Sequence, residues 1–504
     1  MARINSVGIV GAGAMGRGIA QIAAQAGLRV YLYDTAQAAL ASARDSLRDT
    51  WDKLVQKGKL EAPRAEAALQ ALTLCEDLGR LRDCELVVEA IVERLDAKQG
   101  LFRQLEDIVA ETCILASNTS SLSITAIAAA CRLPARVAGY HFFNPVPLMK
   151  VVEVIDGLRS DPEVGDALAE LARRMGHTPV RAKDMPGFIV NHAGRGLNTE
   201  GLRVLQEGVA DCAQVDAIMT GQAGFRMGPF ELMDLTGLDV SHPVMESIYR
   251  QFFDEPRFRP SPLTTVRLAG GLLGRKTGQG FYAYVDGKKQ VAPEAPPPSV
   301  APMPEVWVSP ARPEGRAVVV ELLERLGARV QQGDRPGDDA LIVVTPLGED
   351  ATTAACDQGL DARRTVAVDV LHGLPEGRRR TLMATPLTAQ AWRDAAVARF
   401  SSDGAPVTLV QDSPGFVAQR IVATIVNIAC EIAQQGIATP EDIDRAVTLG
   451  LGYPKGPLAM GDALGAPRIV EILRNIVRVT GDMRYRPSLW LQRRAQLGMS
   501  LLDR

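Results

Sequence analysis

Ser6-Val7-Gly8-Ile9-Val10-Gly11-Ala12-Gly13-Ala14-Met15-Gly16 opens the chain with a short apolar run that ends in glycines spaced G-x-G-x-x-G, and residues 17–26 continue with helical spacing. The order predicted is buried strand, tight turn, helix. Gly11 permits the turn, Gly13 lets a pyrophosphate approach the backbone, and Gly16 lets the helix pack on the strand, with its first amides facing the phosphates. A second run, Arg29-Val30-Tyr31-Leu32-Tyr33, ends in Asp34. A carboxylate there bonds the adenosine ribose hydroxyls and repels a 2'-phosphate, so the cofactor expected is NAD rather than NADP.

Outward from this turn, residues 36–60 read as a charged helical excursion carrying Lys53, Lys57 and Lys59. Glu85-Leu86-Val87-Val88-Glu89-Ala90, Cys113-Ile114-Leu115-Ala116-Ser117 and Arg136-Val137-Ala138-Gly139-Tyr140 read as further buried strands. The pattern predicts a Rossmann-type α/β domain with a doubly wound parallel sheet, in which ligands sit outside the carboxyl ends of the strands. Glu93 and Lys98, residues 118–121, and residues 141–144 all follow such ends, so their loops converge on the cofactor cleft. His141 stands in an apolar, proline-stiffened segment, and Glu153 lies on the run Val151-Val152-Glu153-Val154-Ile155. An imidazole whose tautomer is fixed by a carboxylate is a proton acceptor suited to an alcohol whose hydride leaves for NAD. The run Ser117-Asn118-Thr119-Ser120-Ser121 can hydrogen-bond the same oxygen, and one of Ser120 and Ser121 is expected to cap the helix that follows.

The bulk properties narrow the class. With 504 residues and a 46% hydrophobic share, the chain is long enough for several domains with proper cores. A net charge of -3 leaves no electrostatic footprint for nucleic acid or an anionic membrane. Seven scattered cysteines, never spaced Cys-x-x-Cys, argue against a disulfide framework and against a metal site. The first residues lead straight into the glycine turn without a basic and apolar leader, and no run of about 18 apolar residues occurs, so a cytoplasmic protein is expected.

Further along, Lys183-Asp184-Met185-Pro186-Gly187-Phe188 reads as a hinge before a helical run over residues 189–206, which puts Asn191 in the first turn, toward the cleft. Gly274-Arg275-Lys276-Thr277-Gly278-Gln279-Gly280 is a basic glycine-rich loop whose spacing is not that of a P-loop. Residues 293–304 hold six prolines and read as a stiff linker. Beyond it, Asp412-Ser413-Pro414-Gly415-Phe416 repeats Asp184-Met185-Pro186-Gly187-Phe188 at a displacement of 412 − 184 = 228, and the register holds through Asp216/Asp444, Gly224/Gly452 and Asp234/Asp462. The C-terminal region is a second copy of the helical domain. Between linker and repeat, the runs 317–320, 340–344 and 366–369 predict strands of a second α/β unit that lacks the glycine turn. Leu382 to Pro386 aligns there with His141 to Pro145, with Leu382 for His141 and Thr385 for Asn144, while Gln419 stands where Asn191 does.

Together, Gly11-x-Gly13-x-Met15-Gly16, Val88-Glu89-Ala90-Ile91-Val92-Glu93, Ser117-Asn118-Thr119-Ser120-Ser121-Leu122, His141-Phe142-Phe143-Asn144-Pro145-Val146-Pro147 and Pro186-Gly187-Phe188-Ile189-Val190-Asn191 resemble the L-3-hydroxyacyl-CoA dehydrogenases. The resemblance is close over residues 5–285. It implies NAD-dependent oxidation of an (S)-3-hydroxyacyl-CoA to the 3-oxoacyl-CoA, with His141 as base and Glu153 as its partner. It implies Ser120 and Asn191 as contacts to the substrate oxygens, and Asp34, Glu93, Lys98, Asn144 and Lys276 as cofactor contacts. Thr50 and Lys57 fall where that family touches coenzyme A. The tandem form resembles members of aromatic-acid and phenylacetate breakdown, which implies 3-hydroxyadipyl-CoA, or 3-hydroxybutyryl-CoA, as substrate. Two other readings are a sugar-acid dehydrogenase of the L-gulonate type and a NAD-binding structural protein with a vestigial site. The expected organisation is a NAD-binding domain over 1–184, a helical domain over 185–285, a linker over 286–304, a degenerate α/β domain over 305–406 and a second helical domain over 407–504. In the shorter relatives helical domains dimerise, so the expected state is a homo-oligomer or a monomer with an internal pseudo-dimer.

Overall fold

Ser6–Val10 (β1) is buried at every position, which places it between two partners rather than at a sheet edge. In the computed structural model, which describes residues 3–503, it pairs in parallel with Arg29–Tyr33 (β2) and, through its other edge, with a strand over Leu86–Glu89. Leu72–Cys75 (β3) extends the β2 side and makes Leu86–Glu89 the fourth strand, β4. The sequence pattern gives no sign of β3, because its four residues carry only two buried positions and little alternation. Ile114–Ser117 (β5), Val137–Phe142 (β6), Val151–Asp156 (β7) and Thr178–Lys183 (β8) complete the order β3-β2-β1-β4-β5-β6-β7-β8.

The six strands β1 to β6 form the expected parallel core, whereas β7 runs antiparallel to β6, and β8 parallel to β7. The chain turns back because only residues 143–150 separate β6 from β7, too few for a crossover helix. Ala14–Gln25 (α1), Gln37–Gln56 (α2), Ala62–Gln70 (α3), Leu95–Glu106 (α4), Ile124–Ala128 (α5) and Pro162–Arg174 (α6) make the other connections. Local chemistry fixes α6: the Asp161 carboxylate accepts from the Glu163 amide, Pro162 opens the helix, and Arg173 and Arg174 sit in its last turn. The cap of α5 is Ser123, whose hydroxyl accepts from the Ala126 amide; neither Ser120 nor Ser121 has that role.

By internal contacts the chain forms two compact units, one of residues up to His192 together with Gln435–Leu451, the other of Ala193–Gln434 together with residues from Gly452 onward. Val190–Ala193 (α7) ends the first stretch. The second unit begins with Arg195–Gln206 (α8), Cys212–Gly221 (α9), Pro229–Thr236 (α10), Leu238–Gln251 (α11) and Pro262–Ala269 (α12). A hairpin of Ala283–Val285 (β9) and Lys288–Gln290 (β10) follows, so regular structure reaches into the first residues of the expected linker.

The degenerate α/β region holds Val306–Val308 (β11), Pro313–Arg325 (α13), Leu341–Val344 (β12), Ala351–Asp357 (α14), Thr365–Val368 (β13), Arg380–Ala384 (β14), Gln390–Phe400 (α15) and Val407–Val410 (β15). Its sheet has the order β11-β12-β13-β14-β15, and the β13–β14 pair is antiparallel. The expected strand at 317–320 is part of α13, where Gly315, Val319, Leu322 and Leu323 form one buried stripe; helical spacing of the buried positions outweighs the β propensity of three consecutive valines. Ala418–Gln434 (α16), Pro440–Leu451 (α17), Pro457–Leu464 (α18), Ala466–Thr480 (α19) and Leu489–Leu497 (α20) form the second helical copy.

The structure corrects one alignment between the halves. At a displacement of 228, β6 coincides with β13 and β7 with β14, because the antiparallel pair is present in both sheets. Asp369, not Leu382, therefore stands where His141 does; Leu382 on β14 matches Val154, and Thr385 matches Gly157. Thr381 takes the place of Glu153 and His372 that of Asn144.

Each helical copy also lends a helix to the opposite sheet. The Lys183 amide on β8 donates to the Ile437 carbonyl at 2.8 Å, and α17 packs on β7 and β8. In the second unit the Gln411 amide donates to the Val209 carbonyl at 3.0 Å, just before α9. The two bonds are equivalent, since 411 − 183 = 228 and 437 − 209 = 228. Within the second unit α8 packs on α16, and Phe225 and Tyr453, again 228 apart, meet edge to face at 4.9 Å.

Candidate active site

The glycine turn has the shape a dinucleotide requires. Gly11 adopts φ +111°, and a Cβ there would strike the Ala90 carbonyl. A Cβ on Gly16 would strike the Gly11 carbonyl, so α1 approaches the turn only with glycine there. At Gly13, the N-cap of α1, a Cβ would meet nothing within 4 Å, leaving open space in front of the first helical amides. At the end of β2, Asp34 accepts from the Ala12 amide at 2.8 Å and the Ala36 amide at 2.9 Å, which fixes its carboxylate beside the turn.

His141 and Glu153 are direct cross-strand partners on β6 and β7, so the short return between these strands sets the pair. His141 Nδ1 lies 2.6 Å from Glu153 Oε2, with exposures of 5% and 0% for the two residues. The other oxygen, Oε1, accepts from the amides of Ile189 at 2.8 Å and Val190 at 2.9 Å. These amides are aimed by the Pro186-Gly187-Phe188 turn, where Gly187 and Phe188 both take positive φ. Two rings flank the imidazole, Phe143 at 4.4 Å and Phe188 at 5.9 Å between centroids. A carboxylate filled by two amides on one side accepts the Nδ1 proton on the other, which leaves Nε2 as the basic nitrogen.

The loop after β5 is organised by Glu93. Its Oε1 accepts from the Thr119 hydroxyl at 2.6 Å, the Ser120 amide at 2.9 Å and the Ser121 amide at 3.1 Å. Burial works against this carboxylate, but the charge of Lys98 and these donors outweigh it and hold its pKa below the ordinary range. Lys98, only 1% exposed, has its ammonium between Glu89 at 2.5 Å and Glu93 at 3.2 Å. Glu89 also accepts from the Ser117 hydroxyl at 2.6 Å. Asn191 Nδ2 lies 3.4 Å from the Ser120 carbonyl, and Asn118 accepts from the Phe142 amide at 2.8 Å. Ser120, Asn191, His141 and Glu153 thus belong to one constellation, with Asn144 exposed just beyond β6.

The NAD-binding domain model of 3-hydroxyacyl-CoA dehydrogenases matches residues 6–185, and the C-terminal domain model of the same family matches twice, at 187–284 and 415–500. The chain belongs to the 3-hydroxyacyl-CoA dehydrogenase family. It is 39% identical over 498 residues to the 3-hydroxyadipyl-CoA dehydrogenase of Escherichia coli K12, covering 99% of this chain and 98% of that one. It is 44% identical to a probable 3-hydroxybutyryl-CoA dehydrogenase of Deinococcus radiodurans, over 55% of this chain and 99% of the relative. The crystal structure of a 3-hydroxybutyryl-CoA dehydrogenase from Escherichia coli K12 superposes with a TM-score of 0.87 at 36% identity, covering 98% of this chain and 99% of that one. NAD-dependent oxidation of 3-hydroxyacyl-CoA is accordingly the activity of this dehydrogenase, and the sugar-acid and structural-protein readings are set aside.

Of the remaining expected residues of the dehydrogenase, two are on α2 and one is in the second compact unit. Thr50 is half-buried on α2, its hydroxyl donating to the Ser46 carbonyl at 2.7 Å, and Lys57 is the exposed C-cap of the same helix. Lys276 belongs to the second compact unit, where its ammonium pairs with Asp239. Sequence reasoning missed Glu89 as an organising residue. The signal was a lone carboxylate closing the apolar run Leu86-Val87-Val88, since a charge buried at a strand end needs a partner. In the degenerate half the counterpart residues are spent on one another: Asp369 accepts from Gln419 at 2.9 Å and from Gln222 at 2.9 Å, and Thr381 donates to Gln222.

Proposed function

We propose that His141 takes the hydroxyl proton of an (S)-3-hydroxyacyl-CoA at Nε2, while Glu153 holds the imidazole in that tautomer and offsets the imidazolium charge. The observation that carries this reading is the 2.6 Å contact between His141 Nδ1 and a fully buried carboxylate already anchored by two amides. NAD held at Gly11, Gly13, Gly16 and Asp34 supplies the hydride acceptor. Ser120 and Asn191 bind the substrate oxygens, and Glu93 holds the loop that presents Ser120. Lys98, expected among the cofactor contacts, is buried with its ammonium held by Glu89 and Glu93 beneath that loop, so in this reading it acts by positioning. Asn144 and Lys276 complete the cofactor contacts, and Thr50 and Lys57 meet the coenzyme A moiety.

Full-length likeness to a 3-hydroxyadipyl-CoA dehydrogenase supports a dicarboxylic acyl chain as the preferred substrate. Among the described residues no helix is long and apolar enough to cross a membrane, which supports a cytoplasmic enzyme. The second helical copy acts as a covalently attached partner, so one chain is an internal pseudo-dimer; the packing of α8 on α16 supports this. The test is reduction of 3-oxoadipyl-CoA and acetoacetyl-CoA with NADH. A kcat/KM at least tenfold higher for 3-oxoadipyl-CoA is expected, and preference for acetoacetyl-CoA would overturn the dicarboxylic assignment.

A further inference from the structure

Position 222 of the first helical copy and position 450 of the second are equivalent, since 450 − 222 = 228, yet they carry Gln and Gly. In the degenerate half Gln222 is buried and turns its amide onto Asp369 at 2.9 Å and onto Thr381, the residues in the places of His141 and Glu153. In the same half Ala418, a smaller side chain, stands at the position where the catalytic half has Val190. The catalytic half is built the other way. Gly450, near the end of α17, lies against Val190: a Cβ added to it would fall 3.1 Å from both Val190 methyls and 3.5 Å from a methyl of Val151. Val190 is 1% exposed, and its amide is one of the two that hold Glu153.

We propose that Gly450, carried into the catalytic half by the second helical copy, is a positioning residue for the proton-transfer pair. Having no side chain, it lets Val190 seat where its amide meets Glu153 at 2.9 Å, and it keeps the amide plug seen at Gln222 out of the working site. The second copy is then part of the active site's wall, and the catalytic half is incomplete without it. Neighbouring contacts on the same face agree, since the Arg181 amide donates to Asp442 of α17 at 3.2 Å, beside the Lys183 bond to Ile437. A displacement of a few tenths of an ångström at Val190 would reach the carboxylate through the Val190 amide, which holds Glu153 at 2.9 Å.

The inference rests on the reading of His141 and Glu153 as the reacting pair. Its test uses the full-length enzyme, with kcat counted per NADH-binding site by fluorescence titration so that lost protein is not mistaken for lost chemistry. Gly450→Val is expected to lower kcat about tenfold or more, with KM for acetoacetyl-CoA and NADH changed less than about threefold; Gly450→Ala should move the same way by less. Adding Val190→Ala to Gly450→Val should restore kcat to within about threefold of Val190→Ala alone. The pair Gly450→Gln with Val190→Ala rebuilds the Gln222–Ala418 arrangement beside Glu153 and should lower kcat about 100-fold while NADH still binds. Wild-type kcat per site in Gly450→Val, or in Gly450→Ala should the valine variant not fold, overturns the proposal, as does failure of Val190→Ala to rescue. Undiminished turnover in Glu153→Gln would instead overturn the reading beneath it.

Discussion

Replacing Glu153 by glutamine isolates the tautomer control from the packing. In the native pair Oε1 takes two amide protons and Oε2 faces His141 Nδ1. A glutamine has one acceptor and one donor end. Turning its NH2 toward Ile189 and Val190 would set donor against two donors, at a cost of about 1–3 kcal/mol for the groups left unpaired. The carbonyl therefore stays with the amides, and the NH2 faces Nδ1. His141 must then accept at Nδ1 and carry its proton on Nε2, the nitrogen required to receive the substrate proton. We expect kcat for oxidation of (S)-3-hydroxybutyryl-CoA to fall about 1000-fold, or about 4 kcal/mol in the barrier at 1.36 kcal/mol per tenfold, with NADH affinity unchanged. The assay is gain of NADH absorbance under saturating 3-hydroxyacyl substrate and NAD, with NADH binding measured separately by fluorescence. A variant that keeps kcat within tenfold of wild type would refute the assignment of Glu153 as the group that sets the tautomer.

Three further outcomes are expected. Asp34→Ala should raise KM for NAD about tenfold and increase use of NADP relative to NAD, because it removes both the proposed ribose partner and the acceptor of the Ala12 amide; an unchanged cofactor ratio in steady-state assays would contradict this. Lys98→Met keeps the aliphatic stem but leaves Glu89 and Glu93 without their buried cation, and should cost about 3–5 kcal/mol in urea unfolding; a loss below about 1 kcal/mol would show that the pair is not the anchor of the loop. In the second unit, burial pushes Asp216 up to about 6, against the opposing hydrogen bonds of Tyr282, Phe230 and Glu231. The folded state then binds the proton more tightly than the unfolded one, so this group's contribution to stability grows as pH falls from about 7 to about 4, by at most about 3 kcal/mol. The stability difference between wild type and Asp216→Asn, followed by urea unfolding across that range, should shift in favour of wild type at the acid end; a flat difference would refute the shift.

Much of the catalytic half was legible because its signals are local. The glycine turn, Asp34, and the strand-end positions of Glu93, Ser120 and His141 follow from short apolar runs and the residues after them. The second half was harder to read for the same reason. Three consecutive valines at 318–320 look like a strand until the burial of Gly315, Val319, Leu322 and Leu323 shows one helical stripe. Leu382 looked like the counterpart of His141 because a proline follows at the same interval, whereas strand pairing puts Asp369 there. Side-chain resemblance cannot register two sheets when the site residues themselves have changed; the antiparallel β13–β14 pair can.

The sequence by itself determined the cofactor fold, the family and the internal repeat at 228 residues, and it singled out His141 and Glu153 as a candidate pair, since each is written in contiguous residues or in a fixed displacement. Tertiary structure alone decided that β7 and β8 turn back, that Lys98 is buried between two glutamates, and that α17 closes the edge of the first sheet while the segment before α9 closes that of the second. The closure of the two edges depends on hydrogen bonds between residues 202 and 254 positions apart, Gln411 to Val209 and Lys183 to Ile437. A sequence specifies them only through the surfaces they bury together, and these exist only once the chain has folded.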